Sequence, residues 1–388
     1  MLKTNNYPSV EAVPLGRPEL LLRRGTAAFQ PALSSFAGVC GSGRAALYWA
    51  CRGLSMPSGT RAWLPSFHCG VEVQAVLDAG FNVAFYRIGS DLTIDEEDLE
   101  YKLRSQPGVV VVIHYFGFPQ PGIQHIAQLC RRLECVLIED CAHSLFSRHQ
   151  GRALGEFAPI SVFSLRKTLP VFDGGALQVH TPFLAAVRQQ PFMAPAGLKP
   201  VLEPYILCFK SLVRRAIGER LAGTYRRLRF KAEQDENRPP RDRPQYQTGM
   251  SRLSRALAAI TEPSEAAARR RAAYAALDAR LQSVPGYRKV FESMAPGASP
   301  LSLPLWVRER TSLINTLRNS GIQAYRFGSV PHQNLNRSAF PETECLRSNI
   351  LCMPVHQGIK EAHIERMAAV LAPMLERNLH GRSRAVRN

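Results

Sequence analysis

The sequence predicts an α/β fold: a large three-layer α/β/α domain with a mostly parallel sheet, followed by a smaller C-terminal α+β domain. Between about residues 38 and 180, strand-like runs rich in β-branched residues alternate with helical patterns, as in βαβ units. The chain has 388 residues, of which 45% are apolar, and this is enough for a substantial core. A charged, proline-rich stretch at 238–244 cannot be helical, so the smaller domain is expected to begin near it.

The elements of the large domain follow from the hydrophobic pattern, taken in order along the chain. Apolar residues at helical spacing predict helices, and short runs of β-branched or aromatic residues predict strands. The run at 109–114 is almost continuously apolar and therefore predicts a strand buried on both faces. In chain order, the predictions are a helix at 44–54, a strand at 61–65, a helix at 70–79, strands at 83–87 and 109–114, a helix at 123–133 and a strand at 135–140.

A basic amphipathic helix is predicted at about 201–231, as an insertion in the large domain. Its apolar residues recur at helical spacing, with basic residues between them. Two interpretations stay open: a helix that packs on the sheet with its arginines in water, or one that lies on an anionic membrane surface. The predicted domains are 1–245, which includes an N-terminal arm and this insertion, and 246–388, which ends in a basic tail. The smaller domain is predicted to contain helices at 265–281, 311–320 and 360–374 and a strand at 301–307.

The formal net charge of +18 can indicate nucleic acid, an anionic membrane or phosphorylated substrates as partners. Nucleic acid is not expected, because no RNA-binding signature or zinc finger accompanies the charge. The sequence has no apolar run long enough to span a bilayer and no signal-peptide pattern. Its nine cysteines lie mostly in apolar runs without zinc-site spacing, as expected for reduced thiols. A cytoplasmic protein is therefore expected, and peripheral contact with the inner face of the membrane stays open.

Two chemically suggestive side chains follow predicted strands, where functional groups collect in parallel sheets. Lys167 stands after an apolar, strand-like run and seven residues before Gly174 of an Asp-Gly-Gly turn, and Asp140 closes the buried strand upstream. A lysine that can form a Schiff base and an aspartate that can face a pyridinium nitrogen are the two groups that a pyridoxal phosphate (PLP) enzyme needs. Considered alone, Lys167 could be a surface lysine and Asp140 a turn-capping residue. At these spacings the pair predicts a PLP site.

Six motifs extend this pattern: Ser42-Gly43-Arg44-Ala45-Ala46-Leu47, Pro65-Ser66-Phe67, Asp91-Leu92-Thr93-Ile94-Asp95, His114-Tyr115-Phe116-Gly117, Ile138-Glu139-Asp140-Cys141-Ala142, and Lys167 with Asp173-Gly174-Gly175. Together they resemble the DegT/DnrJ/EryC1/StrS sugar aminotransferases, which are dimeric fold-type-I PLP enzymes. The resemblance is close from about residue 38 to 178 and resumes at 321–325 and 351–357. It implies that Lys167 is the Schiff-base lysine and moves protons between cofactor and substrate. It also implies that Asp140 pairs with the protonated pyridine nitrogen.

The resemblance further implies which residues contact the cofactor. The turn that contains Gly43, Arg44 and Ala45 opens a helix, and backbone N–H groups at a helix start are suited to bind the phosphate. Ser164 matches a family serine that binds the same phosphate. His143 stands where the family usually has a glutamine beside the cofactor. It would either hydrogen-bond the phenolic oxygen or be a structural histidine, and both alternatives stay open.

Two departures from the family pattern concern the phosphate. The segment between Ser164 and Lys167 is shorter than usual, and Arg44 stands where a threonine is common. We therefore hypothesise that Arg44 or Arg166 supplies charge to the phosphate.

Two further departures concern the cofactor ring and the partner subunit. Cys69 stands where an aromatic ring usually stacks on the cofactor, which leaves His68 or Phe67 as the substitute. The segment Tyr246-Gln247-Thr248-Gly249-Met250 replaces an asparagine-centred motif with which the family reaches the partner subunit's phosphate.

The resemblance implies a homodimeric aminotransferase of polysaccharide or glycoconjugate synthesis. It would move an amino group from an amino acid, often glutamate, to a keto-sugar, typically one linked to a nucleotide. The basic surface fits such a substrate and would also fit a membrane-bound glycolipid. Two alternatives stay open: a PLP enzyme of another reaction type, and a non-enzymatic, membrane-associated component of a polysaccharide locus. In the dehydratase branch of the family histidine replaces the lysine, so Lys167 argues against that branch.

Overall fold

The computed structural model describes residues 10–14, 28–180, 205–206 and 246–380. The predictions for the basic helix at 201–231 and the linker at 238–244 therefore lie outside the described residues, apart from Tyr205 and Ile206, which are helical and exposed. Nearly all of the predicted N-terminal arm and most of the basic tail lie outside them too. The domain boundary at 245 stays a prediction.

A seven-stranded sheet forms the centre of the large domain. The strands of this part of the chain are β1 (Gly38–Cys40), β2 (Arg61–Pro65), β3 (Asn82–Tyr86), β4 (Val109–Ile113), β5 (Val136–Asp140), β6 (Arg148–His149), β7 (Arg152–Ala153), β8 (Ile160–Phe163) and β9 (Gly175–Val179). The order in the sheet is β1-β9-β8-β5-β4-β2-β3, and β6 and β7 form a separate hairpin. Strands β8, β5, β4, β2 and β3 are parallel, whereas β9 is antiparallel to both of its neighbours. This arrangement confirms the mostly parallel sheet.

Helices cover both faces of the sheet. The residues of β4 are all buried, and its valines alternate between two apolar clusters, one on each face. This explains why a strand in the middle of a parallel sheet has a continuous rather than an alternating apolar pattern. One face carries the helices Gly43–Gly53 and Val71–Asp78, and the other carries Glu96–Ser105 and Ile123–Arg132. The three predicted layers are therefore confirmed.

The C-terminal region is α+β, as predicted. Its antiparallel strands β10 (Ser302–Trp306) and β11 (Ile350–Pro354) lie among helices. Apolar residues of the two longest helices, such as Leu277 and Leu371, are buried in the same cluster as one face of the large sheet. Among the described helices, none is long and apolar enough to cross a membrane. The helices of this region are Arg252–Ala259, Pro263–Leu281, Arg310–Asn319, Pro341–Asn349 and Glu361–His380.

Candidate functional site

The candidate site lies at the carboxyl-terminal edge of the parallel strands. Asp140 is the last residue of β5, and Ser164 follows the end of β8, which is the parallel neighbour of β5. A short helix, Leu165–Thr168, then carries Lys167. Because parallel neighbours end at the same edge of a sheet, the fold brings the predicted lysine and aspartate to one place.

The carboxyl group of Asp140 is buried, with 5% of the residue exposed. Its Oδ1 accepts a hydrogen bond from the backbone N of Ala142 at 2.8 Å. Burial and the negative charge of Glu72 raise the pKa of Asp140 to about 6, although the Ala142 N–H and the positive charge of Lys167 act in the opposite direction. A carboxyl group with this pKa is ionised at neutral pH although burial disfavours its charge, so a cation placed beside it would stabilise the carboxylate. A protonated pyridine nitrogen would be such a cation.

The segment around Lys167 is held through its backbone. The backbone N of Lys167 donates to the carbonyl O of Ser164 at 3.2 Å, and the lysine side chain is half-buried. The Nη2 of Arg270 donates to the carbonyl oxygens of Lys167 at 3.3 Å and of Thr168 at 2.9 Å. The Nε2 of Gln357 donates to the same oxygen of Thr168 at 2.8 Å. Two side chains from the C-terminal region therefore fix the backbone that carries the lysine.

Each residue of the Asp-Gly-Gly turn is required by a contact or by a backbone conformation. The carboxylate of Asp173 accepts hydrogen bonds from the backbone N of Ser251 at 3.0 Å and from its Oγ at 2.9 Å. Gly174 has a φ of 131°, which disfavours any residue with a Cβ. A Cβ at Gly175 would lie 2.2 Å from the carbonyl carbon of Ser42. The turn therefore passes directly against the glycine-rich turn near residue 42, and only glycine permits this approach.

The glycine-rich turn and Ser164 form one small cradle. The helix Gly43–Gly53 begins after Ser42, whose Oγ accepts a hydrogen bond from the backbone N of Ala45 at 3.2 Å. A Cβ at Gly43 would lie 3.1 Å from the Cβ of Ser164, so the turn and the serine are in contact. Ser164 is 8% exposed, and its hydroxyl has no hydrogen-bond partner among the described residues. A free hydroxyl beside the first backbone N–H groups of a helix is a suitable site for a phosphate.

The two arginines hypothesised to serve the phosphate have different surroundings. Arg44 is half-buried, whereas Arg166 is exposed. Neither forms an ion pair within the part of the chain that the structure describes. Burial and a hydrogen bond to Asp78 raise the pKa of Tyr246, and the positive charge of Arg44 partly offsets this rise. The Tyr246 ring stacks on that of Tyr48 at 4.0 Å. Arg44 directly follows Gly43 of the cradle and is within electrostatic reach of Tyr246, and its role at the phosphate stays a prediction.

His143 is buried between the rings of Phe116 and Phe327, with centroid distances of 5.7 and 5.0 Å. Its Nδ1 accepts a hydrogen bond from the backbone N of Phe116 at 3.2 Å. Burial and the positive charge of Lys167 lower the pKa of His143 well below its usual range. The ring is therefore neutral, with its proton on Nε2. The Nε2–H finds no acceptor among the described residues, so His143 has one structural nitrogen and one free donor.

His68 lies in the core. Its Nδ1 donates to the carbonyl O of Pro65 at 3.0 Å, and its Nε2 accepts from the backbone N of His332 at 3.3 Å. The ring stacks on Phe85 at 5.1 Å and is fully buried. Burial and the charge of Arg347 lower the pKa of His68 to about 4. Both ring nitrogens of His68 are therefore occupied by backbone groups, and a role in stacking on a cofactor stays an untested prediction.

Cys69 lies near Lys167 and contacts Glu72, an acid that belongs to none of the sequence motifs. Its backbone N and its Sγ donate to the carboxylate of Glu72 at 3.3 and 3.0 Å. Burial and the charge of Glu72 raise the pKa of the Cys69 thiol, and the charge of Lys167 opposes this rise. Cys69 is therefore within electrostatic reach of Lys167. Phe67, the other candidate for stacking, is fully buried against Tyr115.

Three residues of the site were not found from the sequence: Glu72, Arg270 and Gln357. Glu72 is the third residue of the predicted helix 70–79 and is only 8% exposed. Arg270 belongs to a run of three arginines on an alanine-rich helix. Gln357 ends one of the segments that carried the resemblance, which is the only signal that could have singled it out. Glu72 and Arg270 lie inside helices and not at the strand ends where functional side chains of parallel sheets collect.

Comparison with known proteins supports the same assignment of the large domain. A family model, the DegT/DnrJ/EryC1/StrS aminotransferase family, matches residues 24–194. The GDP-perosamine synthase of Vibrio cholerae is 29% identical over 137 residues, which are 34% of this chain and 37% of that protein. The match thus spans well under half of that relative. A UDP-N-acetyl-3-dehydro-α-D-glucosamine 3-aminotransferase of Acidithiobacillus ferrooxidans is 24% identical over 363 residues, or 88% of this chain and 84% of that protein.

The fold is shared with solved structures over nearly the whole chain. The Streptococcus pneumoniae protein Spr1654, solved in its PLP form, has a TM-score of 0.71 and 14% identity. The superposition covers 95% of this chain and 99% of that one. At this identity the likeness establishes the architecture, with the large sheet and the C-terminal α+β region in one common arrangement.

Proposed function

Because this chain belongs to the DegT/DnrJ/EryC1/StrS aminotransferase family of fold-type-I PLP enzymes, we propose that it binds PLP and transfers an amino group from an amino acid to a nucleotide-linked keto-sugar. The observation that carries this proposal is the placement of Lys167 and Asp140 at one edge of the sheet. The charge of the lysine acts on a buried carboxylate there, whose pKa burial has raised to about 6. A half-buried amine beside such an acid is the pair that PLP chemistry needs.

The residues present fit the cofactor. The amine of Lys167 would hold PLP covalently, and Asp140 would face the pyridine nitrogen. The free hydroxyl of Ser164 and the backbone N–H groups of Gly43 and Arg44 would hold the phosphate, whereas the N–H of Ala45 already donates to the Oγ of Ser42. When bound, PLP supplies an electron sink that stabilises the carbanion left when a C–H bond of the amino acid breaks.

The chain's own side chains would move and hold the protons. The Nζ of Lys167 would take the proton from the α-carbon of the amino-acid donor and return one to the sugar carbon. The carboxylate of Asp140 would keep a proton on the pyridine nitrogen, and its pKa of about 6 leaves it ionised at neutral pH. The Nε2–H of His143, which is neutral and lacks an acceptor among the described residues, would donate to an oxygen of the cofactor.

The substrate, donor and assembly are part of the same proposal. The relative from Vibrio cholerae is named for a GDP-linked sugar and that from Acidithiobacillus ferrooxidans for a UDP-linked one. A net charge of +18 favours a substrate that carries phosphates. We propose glutamate as the amino donor and a cytoplasmic homodimer as the working form. Light scattering coupled to size exclusion would give the mass of the assembly.

Each half of the reaction can be tested separately. Protein loaded with PLP is incubated with L-glutamate, and the formation of 2-oxoglutarate and of pyridoxamine phosphate (PMP) is measured by mass spectrometry. The PMP form is then offered nucleotide-linked 3-keto- and 4-keto-sugars, and aminated sugar is measured. We expect both halves to proceed in the wild type and neither in Lys167→Ala. PLP-loaded protein that converts no amino acid to its oxo-acid would contradict an aminotransferase and favour another PLP reaction.

A further inference from the structure

Three consecutive arginines, Arg269, Arg270 and Arg271, have three different environments on the helix Pro263–Leu281. Successive residues on a helix point about 100° apart, which a turn of 3.6 residues implies. Arg269 faces solvent, where it pairs with an exposed glutamate. Arg271 binds two carbonyl groups of a neighbouring loop. Arg270 is 1% exposed and is the largest fully buried side chain of the described residues.

The guanidinium of Arg270 binds backbone carbonyl groups. Its Nη1 donates to the O of Pro300 at 3.1 Å, and its Nη2 donates to the O of Lys167 at 3.3 Å and of Thr168 at 2.9 Å. Within the described residues, no carboxylate lies close enough to form an ion pair with it, and its Nε has no hydrogen-bond partner. Two of its three bonds therefore end on the short helix that carries the candidate cofactor lysine.

Burying a guanidinium without a counter-ion costs more free energy than filling the same space with an apolar side chain. Burial lowers the pKa of Arg270 to about 10, so the group stays charged at neutral pH. Removing such a charge from water costs free energy, and an apolar side chain of similar size often stabilises a core as well or better. The arginine instead fixes the positions of its partners, because the planar guanidinium binds several carbonyl oxygens in a defined geometry.

The third carbonyl extends this network into the large domain. The segment that contains Pro300 is itself fixed there: the backbone N of Leu301 donates to the O of Phe116 at 2.7 Å, and the backbone N of Ser299 donates to the Oγ of Ser147 at 3.0 Å. Arg270 thus connects the helix of the C-terminal region, the wall of the site near Phe116 and the lysine helix.

We propose that Arg270 is a positioning residue for covalent attachment of the cofactor to Lys167. By holding the carbonyl groups of Lys167 and Thr168, it fixes the backbone that carries the lysine at the same edge of the sheet as Asp140. The inference rests on the proposed function, because it requires Lys167 to react with the aldehyde of PLP. A misplacement of the reacting atoms of about 1 Å can slow a reaction roughly 100-fold, so the loss of this support has a measurable kinetic effect.

The test compares Arg270→Ala with a matched control on the same helix. Arg271→Ala removes hydrogen bonds to the carbonyl groups of Ala295 and Ala298, at 3.0 and 2.8 Å, but does not touch the lysine helix. PLP is added to each apoprotein, and the rate of attachment is followed by absorbance. Borohydride reduction and peptide mapping then identify the modified lysine, and thermal unfolding reports stability independently of attachment.

We expect Arg270→Ala to attach PLP about 100-fold more slowly than wild type, a loss of the size that misplaced reacting groups cause. Arg271→Ala should stay within about twofold of wild type, because neither of its contacts is with the lysine helix. Arg270→Lys, which keeps the charge but not the fork, should be intermediate. Equal slowing in both alanine variants would overturn the proposal, as would a wild-type rate in Arg270→Ala.

Two further outcomes are decided by the same measurements. If Arg270→Ala does not fold, Arg270→Lys decides: a folded lysine variant that attaches PLP at the wild-type rate overturns the positioning role. If the wild-type protein itself attaches no PLP, the proposed function fails and this inference fails with it. If the wild type and Arg270→Ala attach PLP at the same rate, the positioning role of Arg270 is overturned and the proposed function is not.

Discussion

Replacing Asp140 by asparagine should stabilise the PLP-free protein and at the same time lower its affinity for PLP. Burial and the negative charge of Glu72 raise the pKa of Asp140 from an ordinary 3.8 to about 6. An acid whose pKa is higher in the folded than in the unfolded state contributes stability that is present below the unfolded pKa and is lost as the pH rises through the folded pKa. The contribution of Asp140 to the stability of the PLP-free wild type should therefore be lost as the pH rises from about 4 through about 6.

The size of the effect follows from the shift. Each pKa unit corresponds to about 1.4 kcal/mol, so a rise of about two units costs the ionised form roughly 3 kcal/mol. Asparagine has the same shape, carries no charge and can keep the hydrogen bond to the backbone N of Ala142, which is 2.8 Å long. At pH 7.5 the apoprotein of Asp140→Asn should thus be about 2 to 3 kcal/mol more stable than wild type. Bound PLP reverses this difference, because its protonated pyridine nitrogen stabilises the carboxylate of Asp140 but not the uncharged side chain of asparagine.

The assay is urea unfolding at pH 5 and pH 7.5, with and without PLP. Glu139→Gln is the matched control, since Glu139 precedes Asp140 on β5 and is fully buried. Burial alone would raise its pKa, but hydrogen bonds from His114 and from backbone N–H groups lower it below the ordinary value. Its stability contribution is present above the unfolded pKa and is lost as the pH falls through the folded one, so Glu139→Gln should destabilise at pH 7.5. An Asp140→Asn apoprotein that is less stable than the wild-type apoprotein at pH 7.5 would refute the reasoning. So would a variant whose free energy of unfolding rises as much on addition of PLP as that of the wild type.

Three further predictions concern the cofactor's surroundings. Arg44→Ala should weaken PLP binding about tenfold, as expected for a lost hydrogen bond to a charged group, whereas Arg166→Ala should bind like wild type; fluorescence titration measures both, and unchanged affinity in Arg44→Ala would exclude Arg44. Gly175→Ala should lower the melting temperature and the affinity for PLP together, because its Cβ would lie 2.2 Å from the carbonyl carbon of Ser42; normal values of both would contradict that contact. His143→Phe keeps the ring contacts but removes the Nε2 donor, so the absorbance maximum of bound PLP should shift, and an unchanged spectrum would mark a purely structural histidine.

The sheet could be predicted because its determinants are local. A run such as Val109 to Ile113 has one interpretation in a chain that alternates strands and helices, and all five residues are buried as expected. Asp140 and Lys167 were found for the same reason, since both follow such runs. The antiparallel strand β9 was missed because Gly174 and Gly175 were interpreted as a turn only, although the strand begins at the second glycine.

The surroundings of the site could not be predicted, because they come from contacts between distant segments. His68 follows a strand as Asp140 does, yet Phe85 and Arg347 enclose it in the core. The contact of Arg270 with Thr168 joins residues that are 102 positions apart. Helical and strand periodicity reports which face of an element is buried. It does not report what a buried polar side chain binds.

Lys167 is the residue to which PLP is expected to become attached. The most direct measurement is borohydride reduction of the PLP-treated protein, followed by peptide mapping by mass spectrometry. We expect a single modified peptide that carries the reduced cofactor on Lys167, and no modified peptide from Lys167→Ala. Modification of another lysine, or a wild-type protein that takes up no PLP, would contradict the account.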